Sequence, residues 1–316
     1  MSKPLFPEHI PERGFDYTES ILPGVIPDES ELTAGVKIVP GQTYGFFTDT
    51  SLCIGCKACE VACKEWNALP ADEIALSGMS YDNTRQLSAT TWRHVLFIEQ
   101  IGQGPKRATL LPPFQSHWLM MSDVCKHCRR AACLEACPTG ALFRTEFGTV
   151  VVQQDICNGC AYCVPVCPFG VVELNMHDGK AHKCTLCYDR LKGGLEPACA
   201  KACPTNSIQF GEIEMLKARA RERLEVLRKL GRKDAYLYGV PGSPGATGGI
   251  EELYAFFLLL DRPEAYNLPA APQLPQTKVK RSLLGGSAVL AGLALGAWTV
   301  MKSGKEEKED KKQSKE

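Results

Sequence analysis

The chain has 316 residues and a formal net charge of zero. A neutral chain argues against bulk nucleic-acid binding, which normally depends on a basic domain. Its hydrophobic content of 44% is ordinary, and its length suits one large domain or two small ones. The unusual feature is the set of 16 cysteines, which form four quartets: Cys53, Cys56, Cys59 and Cys63; Cys125, Cys128, Cys133 and Cys137; Cys157, Cys160, Cys163 and Cys167; and Cys184, Cys187, Cys199 and Cys203.

The N-terminal residues 1–45 are rich in proline, glutamate and glycine and show no apolar period. Their prolines would interrupt any helix, so we predict an extended arm that lies on the rest of the protein or on a partner. A disordered tail is the alternative. The segment has no positively charged start followed by an apolar stretch and no twin-arginine pair, so we expect no signal peptide.

The first quartet follows a predicted strand at 44–50 and precedes a long insertion at 64–116. Within the insertion, Thr91–Glu99 is rich in β-branched and aromatic residues and is predicted to be a strand. The length of the insertion indicates that the first and second quartets are not neighbours in one compact unit.

The third quartet has the spacing of bacterial ferredoxins, Cys-x2-Cys-x2-Cys-x3-Cys-Pro. In such runs three cysteines bind one iron–sulfur cluster and the fourth usually binds another cluster. A zinc ribbon would explain one pair of Cys-x2-Cys units, and disulfides would suit a small secreted chain. Neither explains this spacing, or the prolines that follow the last cysteine of three quartets at Pro138, Pro168 and Pro204. The pattern therefore favours electron transfer along a row of [4Fe–4S] clusters.

The repetition of quartets and short strands predicts an α+β fold of two nested ferredoxin-like units that bind four [4Fe–4S] clusters. The inner unit is predicted over 117–179, with strands at 140–144 and 149–152. The outer unit is split between 46–116 and 180–211 and encloses the inner one. It ends in a predicted strand at 207–210.

The residues after the fourth quartet are predicted to form a helix and an irregular, partner-facing segment over 212–280. Apolar residues recur at helical spacing over 212–232, which indicates a helix packed on its own domain rather than on a partner. Residues 239–249 are rich in glycine and proline and are predicted to be a loop. Leu253–Leu260 is either a buried strand or a partner-facing segment.

Residues 282–301 contain no charged side chain, and about 20 such residues suffice for a transmembrane helix. We therefore predict one membrane helix here, with a buried core helix as the alternative. Three basic residues precede the run over 278–281, whereas six lysines follow it in the charged tail 302–316. This bias predicts a cytoplasmic tail and a periplasmic or extracytoplasmic cluster domain.

The order of the quartets, with the long gap between Cys187 and Cys199, resembles the four-cluster electron-transfer subunits of molybdopterin oxidoreductases. More narrowly, three stretches resemble the iron–sulfur beta subunit of respiratory membrane-bound formate dehydrogenase: Cys53–Asn67, His182–Arg190 and Glu196–Thr205. The resemblance covers residues 44–301 and leaves out the N-terminal arm.

The resemblance implies a specific assignment of cysteines to clusters: Cys53, Cys56, Cys59 and Cys203 for cluster 1; Cys184, Cys187, Cys199 and Cys63 for cluster 2; Cys125, Cys128, Cys133 and Cys167 for cluster 3; and Cys157, Cys160, Cys163 and Cys137 for cluster 4. It implies no catalytic residue in this chain. It also implies three partners: a Mo/W-pterin catalytic alpha subunit that oxidises formate, a membrane cytochrome b or quinone-reactive gamma subunit, and the lipid bilayer.

Two other functions are considered. The same relay could serve a polysulfide, dimethyl sulfoxide or nitrite reductase complex, or the protein could be a membrane-anchored zinc or iron-sensing module. Six charged or titratable residues beside cysteines are expected either to raise cluster potentials or to be ordinary solvated or paired charges: Lys57, Lys126, His127, Arg129, Arg130 and Lys183. Four histidines share no spacing and are predicted to be structural: His94, His117, His177 and His182.

Overall fold

A computed structural model describes residues 37–71, 78, 81–100 and 117–313. Most of the predicted N-terminal arm, parts of the insertion and the last three residues of the tail lie outside these ranges. The described chain is a mixed α/β structure, in agreement with the coarse fold class predicted from the repeats.

A four-stranded sheet joins the beginning and the end of the cluster-motif region. Its strands are β1 (Tyr44–Asp49), β8 (Ile208–Glu212), β9 (Tyr236–Tyr238) and β10 (Ala255–Leu259), in the order β8-β1-β10-β9. β1 is antiparallel to β8 and parallel to β10, and β10 is antiparallel to β9. The predicted strands at 44–50 and 207–210 are confirmed, and Leu253–Leu260 contains a buried strand.

The central strand β1 is buried along its whole length because both faces of the sheet are covered. Successive side chains of a strand point to opposite faces. Phe46 accordingly packs in an apolar core with many of the cysteines, whereas Phe47 packs in a second core with the leucines of a long helix, α6 (Ile213–Lys229). The helix predicted over 212–232 is thus present and packs on its own domain.

Three two-stranded hairpins surround the cysteine core. β2 (Arg93–Gln100) pairs with β3 (His117–Val124), β4 (Leu142–Arg144) with β5 (Val150–Val152), and β6 (Glu173–Leu174) with β7 (Ala181–His182). The strand predicted within the insertion is confirmed as β2.

Five short helices carry or adjoin the cysteine motifs: α1 (Ala58–Trp66), α2 (Ala132–Glu135), α3 (Cys163–Val166), α4 (Tyr188–Lys192) and α5 (Ala198–Lys201). α1 of the first quartet packs on α5 of the fourth, and α2 of the second quartet packs on α3 of the third. A 3-10 turn at Pro263–Tyr266 interrupts the segment that was expected to be irregular.

The C-terminal helix α7 spans Gln276–Gln313. In the described part of the chain, neither this helix nor any other is long and apolar enough to cross a membrane. Glycine, serine and threonine contribute little apolar surface within the uncharged run, and the helix continues into charged residues. The predicted transmembrane helix is therefore not borne out, and the location that was predicted from it is wrong.

Candidate metal centre

All 16 cysteines lie in the described ranges, and each is a free thiol. Within those same ranges, no three His, Cys, Asp or Glu side chains are grouped to hold a single metal ion. The thiols instead form four looser groups, here called neighbourhoods. Thiols that lie close together raise each other's pKa, and these effects show which cysteines are neighbours.

The first neighbourhood joins the start of the first quartet to the end of the fourth. The antiparallel pairing of β1 with β8 brings the loop after Thr48 to the same end of the sheet as the loop before Ile208. Burial raises the pKa of Cys53, and nearby Cys203 and Cys56 raise it further. Cys53 and Cys203 are therefore neighbours despite their separation in sequence.

The second neighbourhood follows from the packing of α1 on α5. Burial raises the pKa of Cys63 strongly, and Cys184, Cys199 and Cys187 raise it further. The pKa of Cys187 is raised to about 12 by burial and then by Cys199. Cys63 thus lies among three cysteines of the fourth quartet.

The remaining two neighbourhoods each combine the first three cysteines of one quartet with the last cysteine of the other, and the quartets involved are the second and the third. The pKa of Cys128 is raised well above its ordinary value by burial, then by Cys167, Cys125 and Cys133. The pKa of Cys163 is raised to about 11 by burial, then by Cys157, Cys137 and Cys160. In each case the fourth cysteine comes from the other quartet, because α2 packs on α3.

All four cysteine loops share one backbone feature. The second residue after the first cysteine of each quartet has a positive φ: Gly55 (67°), His127 (42°), Gly159 (71°) and Leu186 (57°). Such left-handed residues build concave nests of backbone N–H groups, a geometry found at many iron–sulfur sites. His127 and Leu186 adopt it at a cost of about 1–3 kcal/mol each, since non-glycine residues rarely do so. Four repeated nests beside four groups of thiols fit anionic metal–sulfur clusters.

Backbone and side-chain donors already contact several of the sulfurs. Leu186 N–H donates to Cys184 Sγ at 3.3 Å, and Ala181 N–H donates to Cys157 Sγ at 3.5 Å. The Cys59 Sγ and Ser122 Oγ atoms lie 3.2 Å apart at hydrogen-bond distance. Donors of this kind stabilise thiolates and tune the potentials of the clusters they hold.

The residues expected to raise potentials fall into two groups. Lys126 and Lys183 are buried, whereas Arg129 and Arg130 are exposed and paired with glutamates of their surroundings. Lys57 is partly exposed and lies 3.5 Å from Glu60. Lys57, Arg129 and Arg130 are therefore ordinary paired charges. Exposed ion pairs of this kind contribute little to the free energy of folding.

The buried His127 serves the structure as a neutral side chain. Its Nδ1 accepts a hydrogen bond from Val150 N–H at 3.1 Å. Burial lowers its pKa well below the ordinary value, and Lys183 lowers it further.

Two other histidines contact carboxylates: His94 Nε2 lies 3.2 Å from Asp82 Oδ2, and His182 Nε2 lies 2.8 Å from Asp178 Oδ2. The side chain of His117 lies outside the described parts of the structure.

Sequence reasoning missed Arg93, which lies in the insertion far from any quartet. Its Nη2 donates to Cys199 Sγ at 3.2 Å, and its guanidinium lies 4.7 Å from the centre of the Phe46 ring. The pKa of Cys59 is raised to about 12, chiefly by burial, and Arg93 opposes that rise. The only sequence signal was an arginine in an otherwise buried strand pattern.

Comparisons with known proteins match both the motifs and most of the chain. The family described as 4Fe-4S dicluster domain matches residues 116–213. The formate dehydrogenase iron-sulfur subunit of Haemophilus influenzae is 40% identical over 252 residues, 78% of this chain and 76% of that protein. The formate dehydrogenase-O iron-sulfur subunit of Escherichia coli is 40% identical over 72% of each protein. The B subunit of anaerobic dimethyl sulfoxide reductase from Escherichia coli is 36% identical over 55% of this chain and 76% of its own length.

Proposed function

Because this protein belongs to the family of formate dehydrogenase iron–sulfur subunits, which are electron-transfer rather than catalytic subunits, we propose that it relays electrons from formate. The donor is a Mo/W-pterin catalytic subunit, and the acceptor is a membrane cytochrome b or quinone-reactive subunit. The resemblance noted in the sequence is confirmed by these relatives, and the partners follow from the complexes that the relatives are named for.

The relay uses four [4Fe–4S] clusters held by the ligand sets that the family resemblance implies. The pKa neighbourhoods support each set: Cys53 with Cys203, Cys63 with Cys184, Cys128 with Cys167, and Cys163 with Cys137. When bound, a cluster accepts and releases one electron at a potential set by its surroundings. The chain supplies thiolates, donors to sulfur and a buried environment, and none of its residues acts as an acid, base or nucleophile.

The observation that carries the relay is the order of neighbours between the sets. Cys199 of set 2 contributes to the raised pKa of Cys59 in set 1. Cys125 of set 3 contributes to that of Cys184 in set 2. Cys163 of set 4 contributes to that of Cys133 in set 3, which is raised to about 12. These links support one linear order, from cluster 1 through 2 and 3 to cluster 4.

The same links support two nested units. The sheet pairing of β1 with β8 and the packing of α1 on α5 close the outer unit around sets 1 and 2. The packing of α2 on α3 closes the inner unit around sets 3 and 4. Each unit exchanges its fourth cysteines, which is the arrangement of two-cluster ferredoxins.

The two ends of the row are the parts of the site open to partners. Cys56 of set 1 is exposed beside the exposed Ile54, and Cys160 of set 4 is exposed beside the exposed Tyr162. The other sulfurs are buried or partly buried. Electrons therefore enter at one of these ends and leave at the other.

Analysis of the anaerobically purified complex tests this function. We expect about sixteen iron and sixteen acid-labile sulfide per chain from four cubanes. Stoichiometric zinc without sulfide would instead support the zinc-module alternative and overturn the relay.

Formate-dependent dye reduction by the same complex tests the substrate. The similarity to the B subunit of dimethyl sulfoxide reductase makes a reductase complex the second candidate. A complex that carries all clusters but reduces dimethyl sulfoxide and ignores formate would favour that candidate.

A further inference from the structure

Arg93 is a fully buried cation that lies between two of the proposed ligand sets. Its side chain is 1% exposed. Nη2 donates to Cys199 Sγ of set 2 at 3.2 Å, and Nη1 lies 3.3 Å from Ser122 Oγ. The same Ser122 Oγ lies 3.2 Å from Cys59 Sγ of set 1. Arg93 therefore reaches both sets, one directly and one through a hydroxyl.

The charge of Arg93 has no carboxylate partner in the part of the chain that the structure describes. Within the described residues its guanidinium contacts Ser122 and Cys199, neither of them a carboxylate, and its buried Nε has no hydrogen-bond partner. An unpaired charge in the interior is costly, so buried charges are normally paired. The groups that surround Arg93 electrostatically are Cys199, Cys59, Cys184 and Cys63. Its natural counter-charge is thus the thiolate clusters of sets 1 and 2.

Lys183 occupies the equivalent position one step further along the row. It is 2% exposed, its Nζ donates to the carbonyl oxygens of Val150 and Cys184, and no carboxylate in the described ranges pairs with it. The cysteines that act on its charge belong to two different sets, Cys125, Cys133 and Cys167 of set 3 and Cys184 of set 2. Each of the first two junctions in the row therefore holds one buried cation.

We propose that Arg93 is the shared counter-ion of clusters 1 and 2, that Lys183 is the shared counter-ion of clusters 2 and 3, and that each raises the reduction potentials of the two clusters it separates. This inference rests on the proposed relay. Reduction adds negative charge, and a fixed cation in a low-dielectric interior stabilises that charge more than it does in water. Cluster 2 lies beside both cations, so it is the one affected by both.

Redox potentiometry followed by EPR, on the purified complex, tests the assignment with four variants. Arg93→Gln and Lys183→Met remove the charges, Arg93→Lys keeps the charge, and Arg232→Gln removes a partly exposed arginine that pairs with Asp234. Arg93→Gln is expected to lower the reduction potentials of clusters 1 and 2 by about 59 mV each, which is a tenfold change in a one-electron equilibrium. Lys183→Met is expected to lower two potentials, of which one is shared with Arg93→Gln. Arg93→Lys is expected to leave both potentials close to those of the wild type, and Arg232→Gln is expected to change none of the four.

The outcomes separate this inference from the relay itself. Absence of iron and sulfide in the wild-type protein would overturn the relay. Four loaded clusters whose potentials do not move in Arg93→Gln and Lys183→Met would overturn the counter-ion role alone. Equal shifts in Arg93→Lys and Arg93→Gln would also overturn it, because they would show a packing effect rather than a charge effect.

A further variant covers the case in which Arg93→Gln does not assemble its clusters. Ser122→Ala removes the hydroxyl that joins Arg93 to Cys59 and leaves the charge in place. We expect one potential, that of cluster 1, to fall while the other three stay unchanged. An unchanged set of four potentials would overturn the link between Arg93 and cluster 1.

Discussion

Trp66 Nε1 donates a hydrogen bond to Asp189 Oδ2 at 2.8 Å, and the guanidinium of Arg190 lies 4.2 Å from the centre of the Trp66 ring. Trp66 ends α1 after the first quartet, whereas Asp189 and Arg190 belong to α4 after Cys187. Two stretches that resemble the same family at distant points of the sequence therefore meet in space. Their contact ties together the two halves of the proposed outer unit.

Loss of this contact is expected to weaken the outer unit modestly. Trp66→Ala removes a hydrogen bond worth about 1 kcal/mol and a cation–π contact worth about 0.5–1 kcal/mol at an exposed site. Asp189→Asn keeps a side-chain acceptor but loses its charge, so its effect is smaller. Denaturant midpoints of the two variants, compared with wild type, measure the difference. Equal stability of Trp66→Ala and wild type would contradict the importance of the contact.

Because the last cysteine of each quartet is proposed to bind the cluster of another quartet, its replacement is expected to damage a cluster far away in the sequence. Cys167→Ala is expected to impair the cluster held by the second quartet before that held by its own, since Cys167 neighbours Cys128. Cys63→Ala is expected to impair the cluster of the fourth quartet. EPR spectra and iron content of the two variants identify the lost or altered signal. Loss of the same signal in both variants would contradict the exchange, because the two cysteines belong to different sets.

Gly45 is expected to tolerate no side chain. A Cβ atom at this position would lie 1.8 Å from the carbonyl oxygen of Tyr254, which accepts a hydrogen bond from Phe46 N–H in the sheet. Gly45→Ala must shift backbone, so we expect a loss of about 1–3 kcal/mol or more in the free energy of unfolding. Denaturant titration of the purified protein measures this change.

The matched control is Gly211, the register partner of Gly45 on β8. A Cβ atom there meets only Leu216, whose Cδ2 lies at an ordinary 3.5 Å. Gly211→Ala is expected to change the free energy of unfolding by less than about 1 kcal/mol. A comparable loss in both variants would indicate a general intolerance of alanine in the sheet instead of the close approach at Gly45.

The buried ion pair between Arg223 and Asp49 anchors α6 to β1. Arg223 Nε donates to Asp49 Oδ2 at 2.8 Å, and Nη2 donates to Ser51 Oγ at 3.0 Å. Arg223→Met leaves a buried carboxylate unpaired, which is expected to cost about 3–5 kcal/mol. The double variant Arg223→Met/Asp49→Leu is expected to recover part of this loss, since an apolar pair of similar volume needs no desolvated charge. Failure of the double variant to recover stability would assign the loss to packing around Arg223.

Local chemistry made much of the architecture predictable. Alternating aromatic and β-branched residues identified β1 and β2, and leucine spacing identified α6, because strands and helices have different side-chain periods. The cysteine spacing indicated iron–sulfur chemistry, since close thiols with a following proline suit few other sites. The membrane helix predicted over 282–301 is not borne out, because absence of charge does not by itself make a helix apolar enough to cross a bilayer.

The sequence by itself predicted which residues are the candidate cluster ligands, since ligand chemistry is a property of the cysteines and their spacing. It also determined the family, because the motif stretches carry that resemblance locally. Only the tertiary structure decided that Arg93 lies beside Cys199, and it brought Cys63 close to Cys184, a pairing for which the sequence offered only the family resemblance. The physical reason is that these contacts depend on the pairing of β1 with β8 and on helix packing. Both join segments far apart in the chain, and no local pattern records them.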